Sequence, residues 1–257
     1  MIKVVKVGGH VLDDLAQLET FCQAFAALEG PKVLVHGGGA LASRLQRSLG
    51  QEPVRIAGRR VTDADTLQVV TMACAGWSNK QLVSLLQAKG CNALGLSGCD
   101  ANAVCARRRP PLNIDGETVD FGLVGDVTPA SVNAAFLSSL VDAGLVPVLS
   151  PINHDGKGNL LNTNADTMAA SIAAALGAEL WLTFEKKGVL TDVDDDDSVI
   201  PAISRPDVPA MKAAGTVSDG MLPKLENAFK ALEGGASRAY ILAADTLRPE
   251  TGTQLFL

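Results

Sequence analysis

The chain reads as an α/β protein: an open, mainly parallel sheet of about eight strands with helices on both faces. Three observations predict it. Short apolar runs alternate along the chain with longer segments of helical spacing. The first two runs, residues 4–7 and 32–35, both end in glycines that lead into helical stretches, a strand–helix–strand opening whose crossover makes the strands parallel. With 257 residues, 47% hydrophobic and 19% charged, the chain has enough apolar side chains for a large core and too many for disorder.

Taken in order, residues 4–7 are a strand running out into Gly8 and Gly9. Leu15, Leu18, Phe21, Cys22, Phe25 and Leu28 then fall at helical spacing, between a cap at Asp13 or Asp14 and a stop at Gly30. Residues 32–35 are a buried strand, and Gly37, Gly38 and Gly39 lead to a helix over 41–49 closed by Gly50. Residues 52–60 are irregular and carry Arg55, Arg59 and Arg60, before helices over 63–76 and 79–90 and a strand over 93–96. Residues 103–106 and 117–121 read as an antiparallel ribbon joined by 107–116, with Arg107, Arg108 and Arg109 at a solvated tip. A helix over 129–143 has Pro129 in its first turn, and a strand follows at 145–149. Asn164 caps an alanine-rich helix ending at Gly177, and a strand covers 179–184. The acidic run 194–197 reads as an exposed loop, because metal loops interleave carboxylates with glycine or carbonyl ligands. Helices over 208–214 and 219–232 and strands over 238–242 and 254–257 complete the chain. The expected lobe boundary lies near 177–179, giving an N-terminal lobe of residues 1–177 and a C-terminal lobe of residues 178–257.

Composition narrows the function. A net charge of −6 and 4% aromatics argue against nucleic acid and anionic membranes, which need basic surfaces or stacking platforms. No apolar run is long enough to cross a bilayer. The five cysteines include no Cys-x-x-Cys pair, and the three histidines lack metal-ligand spacing. Reduced thiols, no protein-held metal, no signal peptide and a cytoplasmic location are the expectations.

The two strand-to-glycine turns carry the chemistry. Without a Cβ, the N–H groups of Gly8, Gly9, Gly38 and Gly39 can approach an anion, above all a phosphate, and Lys6 adds a compact positive charge. Neither turn has Walker or Rossmann spacing, and each alone is equally compatible with an ordinary strand-to-helix turn. Three further pieces join them: Gly58-Arg59-Arg60-Val61-Thr62-Asp63, Asn162-Thr163-Asn164-Ala165-Asp166, and Ser218-Asp219-Gly220-Met221-Leu222-Pro223-Lys224.

In this order and at these intervals the motifs resemble the N-acetylglutamate kinases of the amino-acid kinase family, over essentially the whole chain. The resemblance implies a three-layer αβα sandwich and ATP-dependent phosphorylation of the γ-carboxylate of an N-acylglutamate, a step of arginine biosynthesis. It implies that the N-terminal lobe binds acylglutamate and dimerises, and that the C-terminal lobe binds ATP. By match to the family motifs, Lys6 and Lys224 flank the transferring phosphoryl and Asp166 holds both. Gly8 and Gly9 bind phosphate, with Gly38 and Gly39 donating N–H groups at the substrate end. Arg60 grips the substrate α-carboxylate and Asn162 its acylamino end. Magnesium enters with ATP, held mainly by phosphates and water. Glu185, Lys186, Lys187, Gly188, Leu190 and Ser218 fall on the nucleotide side, where this chain departs from the usual Asp-rich turn. The short N-terminus implies a homodimer without arginine inhibition. Arg59 either faces solvent or meets an additional carboxylate, as on N-succinylglutamate. The remaining alternatives are carbamate, aspartate, glutamate 5- or uridylate kinase, and a sensor that binds nucleotide and amino acid without turnover.

Overall fold

A computed structural model describes residues 1–114, 116–217 and 220–257. Eight strands form the central sheet: β1 (Lys3–Val7), β2 (Lys32–His36), β3 (Ala93–Ser97), β4 (Val146–Ser150), β5 (Glu179–Phe184), β6 (Ala202–Ser204), β7 (Arg238–Ala243) and β8 (Thr253–Phe256). Their order is β6-β8-β7-β5-β1-β2-β4-β3. All neighbours are parallel except β7 and β8. Val5 of β1 lies opposite Leu34 on one side and Trp181 on the other. The chain therefore lays β2, β3 and β4 to one side of β1 and β5 to β8 to the other. The winding reverses between β1 and β5, and sheets of this kind bind ligands outside the carboxyl ends of the strands at such a point.

The helices are α1 (Gly9–Asp13), α2 (Leu15–Ala27), α3 (Gly39–Ser48), α4 (Ala64–Thr71), α5 (Asn79–Ala88), α6 (Ala134–Asp142), α7 (Ala165–Ala175), α8 (Val208–Ala213) and α9 (Leu222–Glu233). Successive strand residues point to opposite faces, so both faces of a doubly covered sheet must be apolar. Val4, Val33, Val35, Leu180 and Ile241 pack with α6, α7 and α9. Val5, Val7, Leu34, Trp181 and Leu242 pack with α2 and α5. The result is three layers. The buried Lys32 ammonium is satisfied by the carbonyls of Phe25, Ala26 and Leu28 at the end of α2, at 2.7–3.0 Å. It neutralises the negative end of that helix while burial pushes its pKa down.

Several expectations are corrected. The ribbon predicted from 103–106 and 117–121 does not form. Instead Glu117–Val119 pairs with Leu112–Ile114, and Arg107–Arg108 joins a small sheet with Val124–Asp126, Leu160–Thr163 and Ile152–His154. Ala103 and Val104 are fully buried between those elements. Arg109 is no solvated tip residue: its Nε donates to Asp126 at 2.9 Å and its guanidinium lies over Phe121. The helix predicted over 129–143 is a 3-10 turn, Pro129–Ser131, followed by α6, because Asn133 breaks away to cap Phe136 N–H at 3.2 Å. The helices predicted over 63–76 and 79–90 are one run through a π-helical stretch, Met72–Ser78. Residues 52–60 contain a short hairpin, Arg55–Ile56 against Arg59–Arg60, turning at Ala57 and Gly58, both with positive φ. Among the described residues no helix is long and apolar enough to cross a membrane.

Candidate active site

The two glycine turns meet at the carboxyl ends of β1 and β2. Gly37 N–H donates to Val7 carbonyl at 3.1 Å, tying one turn to the other. Gly9 opens α1 and Gly39 opens α3, so their N–H groups have no acceptor inside the helix. A Cβ at position 9 would sit 3.7 Å from the nitrogens of both Gly38 and Gly39, and one at position 8 would lie 3.8 Å from Lys6 Nζ. The space that a side chain would fill is a cradle for an anion, with an ammonium at its edge. Gly38 has φ +153°, and a Cβ there would reach 2.8 Å from Cys74 Sγ, so this position accepts only glycine.

Lys6 Nζ stands 2.9 Å from Asp166 Oδ1, with side chains only 10% and 19% exposed. The contact is an ion pair off the hydrogen-bond axis, since that oxygen has no hydrogen-bond partner. Asp166 lies in the first turn of α7, where the helix dipole favours a carboxylate. Lys224 enters from the other side on α9. Its ammonium lies 4.4 Å from the Phe184 ring centroid and 3.4 Å from Gly220 carbonyl oxygen. Burial pushes its pKa down, opposed by Asp166 and Glu185 and reinforced by Lys6. Two ammonium groups thus share the field of one carboxylate, although only Lys6 touches it.

Arg60 is buried and held by neutral acceptors alone: Gln46 Oε1, Ser43 Oγ at 2.6 Å and Gly39 carbonyl at 2.8 Å. Among the described residues no carboxylate pairs with it, and burial pushes its pKa down. A buried cation without a counter-ion is suited to receive one from a ligand. Two residues on, Thr62 Oγ1 accepts from Asn162 Nδ2 at 3.2 Å, which brings Asn162 to the segment that carries Arg60. Arg59 points outward and is exposed. His36 is fully buried behind the glycines, with its pKa down to about 4 by desolvation. Its Nδ1–H faces Gly37 carbonyl at 2.6 Å, and its Nε2 accepts from Asn79 Nδ2 at 3.1 Å.

A cleft of about 410 Å³ opens past the ends of β5 and β7, lined among others by Glu185, Lys186, Lys187, Thr246 and Arg248. Lys186 pairs with Asp196 and Lys187 with Asp197, both at 2.8 Å. Gly188 packs where a Cβ would meet Thr253 Oγ1 at 2.6 Å, and Leu190 is buried, so both shape the loop. Ser218 lies outside the described residues. Among the described residues no group of three or more His, Cys, Asp or Glu is placed to hold a metal.

The pattern of the "Amino acid kinase family" matches residues 1–243. The chain belongs to the amino acid kinase family. It is 47% identical to the acetylglutamate kinase of Phocaeicola vulgatus, over 98% of this chain and 97% of that one. It is 44% identical to the acetylglutamate kinase of Methanopyrus kandleri, over 98% and 99%. Its fold matches the N-acetylglutamate synthase of Neisseria gonorrhoeae, solved with coenzyme A and N-acetyl-glutamate, with a TM-score of 0.80 at 24% identity, covering all of this chain and 59% of that one.

Sequence reasoning missed the residues that hold Arg60 and Lys224 in place. Ser43 and Gln46 are three apart on α3, hence on one helical face, and two polar residues on a face turned to the protein were a readable signal. Phe184, the seat of the Lys224 ammonium, and Arg248 and Thr246 in the cleft past β5 and β7 carried no such signal.

Proposed function

We propose that the protein transfers the γ-phosphoryl group of ATP to the γ-carboxylate of N-acetyl-L-glutamate or a related N-acylglutamate, in arginine biosynthesis. A carboxylate oxygen attacks the γ-phosphorus, the bond to the bridging oxygen breaks, and ADP leaves with those electrons. The nucleophile is already an anion, so no general base is required. The obstacle is charge: two anions approach while negative charge spreads over the transferring group. The observation that carries the reading is the Lys6–Asp166 pair at the lip of the joined glycine turns, 2.9 Å apart. Lys6 neutralises the attacking side and Lys224 the ADP side, with Asp166 fixing Lys6 by contact and sustaining the charge on Lys224. The N–H groups of Gly8, Gly9, Gly38 and Gly39 hold oxygens of the transferring group and acceptor. Arg60 binds the α-carboxylate and Asn162 the acylamino end.

ATP lies in the cleft past β5 and β7, with Lys186 and Lys187 beside it. Residues 1–177 then form the acylglutamate lobe and 178–257 the nucleotide lobe, in line with the placement of β5 to β8 beyond β1. The carboxylates present suit Mg²⁺ carried by phosphates and water rather than by a protein cage. The exposed Trp77 and Met72 on the run from α4 to α5 support a homodimer through the first lobe. Free thiols at all five cysteines support a cytoplasmic setting. ADP release measured with N-acetylglutamate, N-succinylglutamate, carbamate, aspartate, glutamate and UMP tests the reading. Turnover confined to the acylglutamates supports it, and turnover with another acceptor alone, or with none, refutes it.

A further inference from the structure

We infer that the Thr167–Asn227 hydrogen bond is the joint that sets Lys224 against Asp166, making these two side chains positioning residues for phosphoryl transfer. The inference rests on the kinase reading above. Thr167 Oγ1 lies 3.0 Å from Asn227 Oδ1 and 3.2 Å from Asn164 Oδ1, and its one proton favours the nearer acceptor, since Asn164 Oδ1 already accepts Thr167 N–H. Asn227 Nδ2 donates to Pro223 carbonyl at 2.8 Å, which fixes the amide orientation and leaves Oδ1 to accept the threonine proton. Thr167 adjoins Asp166, and Pro223 adjoins Lys224. The bond thus joins Thr167 in the first turn of α7, one residue after Asp166, to Asn227 in the second turn of α9, three residues after Lys224 and tied back to Pro223. Among the described residues it is the sole side-chain hydrogen bond between those two helices.

The rest of that contact is apolar. Met168, Ala169, Ile172 and Ala173 of α7 share a core with Leu225, Ala228 and Phe229 of α9. Apolar packing holds two helices together but is non-directional, whereas a hydrogen bond fixes how far one is turned and slid along the other. Lys224 needs that register because nothing else grips it firmly: Gly220 carbonyl is 3.4 Å away and its other neighbour is an aromatic face. The backbone of α7 is anchored independently, since Asn164 Oδ1 accepts from Thr167 N–H at 2.9 Å. Loss of the hydroxyl leaves this N–H bond of the cap in place and removes only the longer hydroxyl contact to the same oxygen, at 3.2 Å.

The test compares Thr167→Val, Thr167→Ser, Asn227→Leu and the Val/Leu double variant with wild type, using ATP and N-acetylglutamate. Thr167→Val and Asn227→Leu are each expected to lower kcat by about 10- to 100-fold, the scale of an ångström of misplacement, with both KM values within about twofold. Thr167→Ser restores kcat to within about threefold, and the double variant is no worse than either single one. The alkaline limb of kcat/KM moves to lower pH in the impaired variants. Lys224 there loses part of the field of Asp166 while Lys6 and Glu185 stay, so its proton leaves sooner. Melting curves superimposable on wild type confirm the fold. Wild-type kcat in either single variant, a serine variant as impaired as the valine one, additive losses, or an unmoved alkaline limb would overturn the inference. A wild type with no acylglutamate turnover sinks the kinase reading as well; an active wild type beside unchanged variants sinks only the joint.

Discussion

Arg60 and Lys186 are both cations proposed to meet an anionic ligand, yet the molecule treats them in opposite ways. Arg60 is 8% exposed and bonded to Gln46, Ser43 and Gly39, all neutral. Lys186 is a third exposed and already neutralised by Asp196, and its neighbour Lys187 by Asp197. At Arg60 the geometry is fixed and the counter-ion is missing, so the anionic ligand proposed there would complete an ion pair. At Lys186 and Lys187 the pairs are complete, and the phosphate proposed there would have to displace a carboxylate. Exposed pairs are worth little, so that exchange costs little. On the proposed assignment, the contrast teaches that the acceptor end is built for fixed recognition and the nucleotide end for adjustment.

The largest expected effect breaks the first half of that contrast. Arg60→Ala raises KM for the acylglutamate by about 10²-fold, as expected for losing a buried charged hydrogen bond at about 3 kcal/mol, and leaves KM for ATP within about threefold. Steady-state kinetics with each substrate varied checks it; equal loss for both substrates would dissolve the distinction.

A second expectation concerns the neutral histidine behind the glycines. His36 has an ordinary pKa of 6.5 unfolded and about 4 folded. Between these values the unfolded chain binds the extra proton, so stability rises with pH across the window and is lost as pH falls through it. Its contribution falls by about 2 kcal/mol from about pH 7.5 to about pH 5. Urea unfolding at the two pH values measures this, and His36→Gln is expected to lack that share of the loss. A variant with the same pH slope as wild type would place the effect elsewhere.

The smallest effect is at the nucleotide end. Asp196→Asn with Asp197→Asn frees the two lysines and changes KM for ATP by less than about fivefold, because solvent screens exposed ion pairs. A change beyond about 20-fold would mean that the acidic run is a true gate.

The same contrast explains what the sequence revealed. The strands and glycine turns were legible because apolar runs ending in glycine have few other uses, and Lys6, Asp166 and Lys224 stood in motifs. The small sheet around residues 107–126 and 152–163 was not, since its strands are two to four residues long and draw their pairing from distant segments. The ribbon failed for the same reason: Ala103 and Val104 look like strand residues, but their burial comes from tertiary packing rather than from a ladder. The acidic run was read correctly as a loop, while its pairing with Lys186 and Lys187 is a long-range fact that no local pattern carries.

The central claim is electrostatic, and trapping the acyl phosphate with hydroxylamine tests it most directly, using wild type, Lys6→Ala and Lys224→Ala with saturating N-acetylglutamate and ATP. The account predicts that wild type accumulates the hydroxamate and that each variant slows by about 10²- to 10³-fold while still binding both ligands, as for loss of one transition-state charge partner. Either variant retaining more than about a tenth of the wild-type rate would contradict it.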